Sequence, residues 1–266
     1  MTAEQRERIA SFKEVREWSE DDRETLLRLL HSLADEQYRT FHAKLIPGAA
    51  HIIGVRMPIL RAIAKSIARG DPRGCIRHCR RAAHEETMLE GIVTGLLDGS
   101  EQQSIADAEY FLDAITNWAL CDCFAGGLRQ IQRYPDAFFE RAGAWCMSEN
   151  WWHVRTGLVV QLSWFCGGAY VSAILERCSA AAQRLPPYDG AYTPAYYVRM
   201  ALAWLIAECW VHCRSEAYAY LTSATCPLDT WTRHKAIQKI RESFRVSPED
   251  KALLARLRGS GQKNLQ

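Results

Sequence analysis

The stretch NWWHVRTGLVVQLSW, residues 150–164, holds a single permanently charged side chain, Arg155, in a run that is otherwise neutral. Its apolar residues return every three or four positions, the spacing of one helix face. An arginine near the start of so apolar a helix needs a reason, and the reason lies in recurrence. Setting Arg56, Glu90, Asp122, Arg155, Arg199 and His234 in one column, each begins a similar short segment: RMPI, EGIV, DCFA, RTGL, RMAL and HKAI. The intervals between them are 34, 32, 33, 44 and 35 residues. A period of that size is one helix pair per repeat.

Other local signals agree. Pro58, Pro72, Pro135, Pro194 and Pro248 each stand where a helix can begin, and SPED (247–250) has the Ser-Pro opening of an N-terminus. Alternating strand patterns and Asn-Gly hairpin signals are scarce. The VR dipeptides at 55–56, 154–155 and 198–199 have the flavour of HEAT repeats. The expected fold is all-α: a curved α-solenoid of about six HEAT-like helix pairs. Its longest interval coincides with QRLPPYDGAYTP (183–194), a Pro/Gly-rich loop between units. Residues 1–36 are expected to form an N-terminal helical cap, 37–258 the array, and 259–266 a flexible tail.

Charge is unevenly distributed. Residues 37–81 hold ten Lys/Arg against one acid, 82–128 hold nine acids and no Lys or Arg, and 229–266 hold nine bases against four acids. Blocks like these are faces of opposite sign, or plain solvated helix surfaces. The opening MTAEQRERIA has no apolar signal core, so the ten cysteines are expected to be reduced thiols in a cytoplasmic protein. The uncharged run between Arg155 and Glu176 is broken by Gly167-Gly168, which predicts a buried helix–turn–helix and no membrane association.

A column ionisable at all six places admits two explanations. The groups pair across neighbouring repeats as a structural ladder, or they line a functional groove. In the second case NWALCDC (117–123) is its centre, because Trp118 and Asp122 are four apart and share a helix face. Trp204 follows Arg199 by five residues, with Tyr196 and Tyr197 before it. Arginines bind phosphates, aromatic faces favour cations, and a carboxylate stabilises an oxocarbenium ion. That set suits an anionic polymer that develops positive charge at the reacting centre.

At these residues the chain resembles the HEAT-like-repeat DNA alkylation repair glycosylases of the AlkD type. The resemblance covers roughly residues 35–245. It rests on FHAKLIPGAAHIIGVRMPILRAIAK (41–65), NWALCDC, NWWHVRTGLVVQL (150–162), YYVRMALAWLIAEC (196–209) and RHKAIQKIRES (233–243), in that order. It implies that Asp122 is the catalytic carboxylate and Arg155 the arginine beside it. Trp118 and Trp204 would be the aromatic pair at the lesion's sugar. It further implies excision of N3- and N7-alkylated purines without metal or cofactor, and without the extrahelical base pocket of most glycosylases. Such purines are already cationic, so the leaving group needs no protonation.

Two basic stripes flank this centre. Arg61, Lys65 and Arg69 recur every four residues and join Arg56; Arg73 and Arg77 continue the stripe. Arg233, Lys235 and Lys239 form the second region, with Arg199 between the two. These residues are the candidate DNA contacts, and the expected partner is duplex DNA with alkylated bases, bound by a monomer. A non-catalytic module for branched or structured DNA, or a protein-binding scaffold, would use the same repeats. CIRHC (75–79) and CWVHC (209–213) are read as buried core cysteines; no metal site is expected.

Overall fold

A computed structural model describes residues 2–49 and 51–260. Every regular element in it is helical. In chain order they are α1 (Ala3–Ser11), α2 (Glu20–Ser32), α3 (Glu36–Leu45), α4 (Met57–Ile67), α5 (Pro72–His78), α6 (His84–Thr94), α7 (Glu101–Leu112) and α8 (Trp118–Gly127). They continue as α9 (Pro135–Trp145), α10 (Trp151–Trp164), α11 (Val171–Arg184), α12 (Pro194–His212), α13 (Arg214–Thr222), α14 (Thr230–Glu242) and α15 (Pro248–Ser260). Residues 261–266 of the expected tail lie outside the described residues.

Pro58, Pro72, Pro135, Pro194 and Pro248 all stand in the first or second position of a helix, at α4, α5, α9, α12 and α15. There the missing N–H costs nothing, since it would have no intrahelical partner. Side-chain caps close many of the other starts: Asp35 accepts from Tyr38 N, Ser100 from Gln103 N and Asp229 from Thr232 N. The uncharged run folds as expected into α10, a turn and α11, with Gly168 in the turn at φ +52°. That left-handed conformation favours glycine.

The chain forms two compact units, residues 1–138 and 139–266. In the first, α4 packs on α6 and α6 on α8. In the second, α10 packs on α12 and α12 on α14. These even-numbered helices carry the aligned column, one member each, with Arg56 at the N-cap of α4. Odd-numbered helices pack beside them: α5 and α7 on α6, α11 and α13 on α12. Within each unit the helices therefore stack as an α-solenoid. The helices of the N-terminal segment join the first unit, with α1 against α4 and α2 against α5.

Burial follows the repeat. Leu60, Ile63, Ala64 and Ile67 of α4 are buried, as are Met88, Leu89 and Val93 of α6 and Leu120, Cys121 and Phe124 of α8. Each large apolar side chain removed from water contributes about 1.5–3 kcal/mol. Two glycines permit close helix approach. A Cβ on Gly91 would stand 2.5 Å from the Phe111 ring, and one on Gly95 would stand 2.4 Å from the Gly127 carbonyl oxygen. No helix among the described residues is long and apolar enough to cross a membrane.

Candidate active site

Asn117 caps α8. Its side-chain oxygen accepts from the backbone N–H groups of Ala119 and Leu120, at 3.0 and 3.1 Å. The cap sets the helix phase. Leu120, Cys121, Phe124 and Ala125 turn into the core, whereas Trp118, Asp122 and Gly126, spaced by four, fall on the accessible side. Trp118 is half-buried and donates its indole N–H to the Leu45 carbonyl, 2.9 Å away. Asp122, also half-buried, lines a pocket of about 380 Å³.

Three inner helices build that pocket. From α4 come Arg61 and Lys65, one turn apart; from α6, Ile92 and the following Leu96; from α8, Asp122, Cys123, Gly126 and Gly127. Arg129 completes it. Beside it Gly95 and Gly127 approach closely, and the Arg129 N–H donates to the Gly95 carbonyl at 3.1 Å, fixing where that side chain starts. Gln130 fastens the same junction by donating to the Thr94 carbonyl at 2.6 Å. Arg61, Lys65 and Arg129 form no ion pair among the described residues. Three cations thus line the pocket with one carboxylate. Burial pushes the Cys123 thiol up to about 11; Arg61 opposes that rise and Asp122 adds to it.

The acidic block does not cancel this charge, because much of it is consumed internally. Glu85 accepts from the backbone N–H groups of Ile53, Gly54 and Val55 at 2.7–3.2 Å. Glu86 accepts from Arg23 at 2.7 Å and from the Ala82 N–H at 2.6 Å. Glu90 accepts from Nε and Nη2 of Arg81 at 2.8 Å each. Arg73 grips Asp107, and Arg133 reaches Asp98. Acids and bases separated in sequence meet in space.

The column therefore divides. Glu90 is buried in a pair with Arg81 of its own repeat, and Asp122 lines a pocket. In the second unit Arg155 is 5% exposed, and its Nη1 donates to the Tyr197 carbonyl at 2.6 Å. Arg199, one of the expected DNA contacts, is engaged within the second unit. It is 3% exposed, donates to Asp229 at 2.9 Å and to the Pro186 carbonyl, and lies over the Tyr188 ring. Its guanidinium holds the 183–194 loop to the start of α14.

Among the remaining candidates, Arg61, Lys65 and Arg69 are exposed. Arg56 is exposed but engaged with Asp35 at 2.8 Å and with the Tyr38 ring. Arg233 is half-buried on α14, Lys235 lies over the Trp231 ring, and Lys239 lies over Trp204 at 6.0 Å. Sequence reasoning missed Arg129, which belongs to no stripe and reaches the pocket through a backbone bond to another repeat. It also missed the space over Gly126 and Gly127. Of the CIRHC pair, burial holds the Cys75 thiol at about 12 and raises the Cys79 thiol further. No group of three His, Cys, Asp or Glu among the described residues is placed to hold a metal ion.

Comparison of the chain with curated proteins and with solved structures gave no match. A family model described as DNA alkylation repair enzyme matches residues 26–240, which include α8, its pocket and all of α10 and α12. With that match over most of its length, the chain belongs to the DNA alkylation repair enzyme family.

Proposed function

We propose that this protein is a DNA glycosylase that removes cationic N3- and N7-alkylated purines from duplex DNA. The observation that carries the reading is a carboxylate, Asp122, lining a pocket together with Arg61, Lys65 and Arg129. A pocket lined by Arg61, Lys65 and Arg129 suits phosphate oxygens rather than a cationic base. Backbone phosphates flanking the lesion are what it would grip.

In the reaction, the bond between the sugar C1′ and the purine nitrogen breaks, and its electron pair neutralises the departing base. Positive charge then develops on the deoxyribose, where a carboxylate stabilises it electrostatically. Water adds at C1′, Asp122 orients it and accepts its proton, and an abasic sugar remains. Trp118, on the same helix face as Asp122, packs its indole face against the sugar. Arg155 and Trp204 of the second unit are proposed as further catalytic residues, by resemblance.

The test is release of 7-methylguanine and 3-methyladenine from methylated duplex DNA. Wild type is expected to release both, and Asp122→Asn to be slower by about thirtyfold, about 2 kcal/mol of barrier. No release by wild type, or an Asp122→Asn variant as fast as wild type, overturns the reading.

A further inference from the structure

The second unit holds a connected set of aromatic side chains that the excision chemistry leaves unused. Tyr188 and Tyr192 come from the loop, Tyr196 from the start of α12 and Trp231 from the start of α14. Their ring centroids lie 4.6 Å apart for Tyr188 and Trp231, 4.8 Å for Tyr192 and Tyr196, and 5.5 Å for Tyr196 and Trp231. Tyr192 is 75% exposed, and the other three are half-buried. Their three tyrosine hydroxyls make no hydrogen bond among the described residues.

Core packing does not account for this arrangement. The repeat interval that contains the loop is 44 residues against 32–35 elsewhere, so the loop is additional to what the helix stack requires. Its added residues bring aromatic rings to the surface, where exposed apolar area is a cost unless something binds there. The loop is also held in place. Arg199 donates to the Pro186 carbonyl and packs over Tyr188, and its other bond goes to Asp229, the cap of α14. The platform is thus preorganised before any ligand arrives.

The adjoining charge indicates the ligand. Helix α14 carries Arg233, Lys235, Lys239 and Arg241 against one acid, Glu242, and the Lys235 ammonium lies 5.6 Å from the Trp231 ring centroid. Aromatic faces beside cations are the means by which proteins hold unpaired nucleobases while meeting the phosphates that link them. We propose that Tyr188, Tyr192, Tyr196 and Trp231 form a stacking platform for unpaired bases of a DNA strand, with Lys235 and Arg233 meeting its phosphates. The proposal rests on DNA being the partner, but not on excision.

The experiment titrates the protein into a short single-stranded oligodeoxynucleotide carrying 2-aminopurine, whose fluorescence falls on stacking. Wild type is expected to quench it saturably. Tyr192→Ala and Trp231→Leu are each expected to weaken binding about fivefold or more. Phe244→Ala, a fully exposed aromatic outside the cluster, is the control and should match wild type. Because Tyr192 is so exposed, its loss does not endanger the fold. Absence of quenching by wild type at low salt, or an unaltered Tyr192→Ala, overturns the platform, and a protein-docking surface becomes its replacement. Base release measured on the same wild-type sample separates the two readings: quenching without release overturns excision alone, and release without quenching overturns the platform alone.

Discussion

Trp118 donates its indole N–H to the carbonyl oxygen of Leu45, joining the first residue of α8 to the last of α3. The bond is solvent-accessible, so its net contribution is at the low end, about 0.5 kcal/mol. Trp118→Phe should therefore shift thermal unfolding only slightly while releasing the ring that flanks Asp122. Base release is expected to fall more than stability does, measured as initial rate beside a calorimetric melt.

Glu90 and Arg81 test the internal use of the acidic block. Glu90 is almost wholly buried and accepts from Nε and Nη2 of the Arg81 guanidinium. Removing Arg81 leaves an uncompensated buried carboxylate, a cost of about 3–5 kcal/mol. Arg81→Ala should lower the denaturant midpoint accordingly. A midpoint within error of wild type would show that the pair contributes nothing.

The close approach of α6 and α8 gives a contrast between two glycines. At Gly95 a Cβ would collide with the Gly127 carbonyl, so Gly95→Ala should destabilise by about 1–3 kcal/mol. At Gly127 an added Cβ meets nothing within 4 Å. Gly127→Ala should leave stability within about 0.5 kcal/mol of wild type or raise it, whereas Gly127→Phe should fill the space beside Asp122 and depress base release. Urea unfolding and excision rates on the three variants read these effects separately.

Arg61, Lys65 and Arg129 should each carry part of the salt dependence of DNA binding. Replacing any one by Gln is expected to reduce the slope of log K against log salt by about one. Arg199→Gln should act differently, since the side chain is buried: stability falls while the slope is unaltered. Fluorescence anisotropy across a salt series decides.

His84 makes stability sensitive to mild acid. Burial lowers its pKa from 6.5 to about 4; His42 adds to that fall, and Glu85 opposes it. His42 is lowered as well, mainly by burial. Between pH 6.5 and 4 the unfolded chain therefore binds more protons than the folded one, and stability declines as pH falls through that window. Melting temperatures followed from pH 7 to 4.5 should drop, and a His42→Gln/His84→Gln double variant should drop less.

Much of the architecture was legible in one dimension. The 32–35-residue spacing assigned the column to alternate helices, and prolines marked five helix starts. Trp118 and Asp122 could be paired on one face because a helix repeats every 3.6 residues. Partner choice was not legible. That Glu90 is spent on Arg81, Arg199 on Asp229 and Glu86 on Arg23 depends on which loops and helices meet, and no spacing rule encodes those meetings.

The chain's periodicity alone thus determined its helix pairs and the row of ionisable positions along them, since both follow from local geometry and solvent-driven burial. Only the tertiary structure decided which of those charges are neutralised inside and which one opens on a cationic pocket. Ion pairing is settled by distances of a few ångströms between segments far apart in sequence, and those distances exist only once the helices have packed.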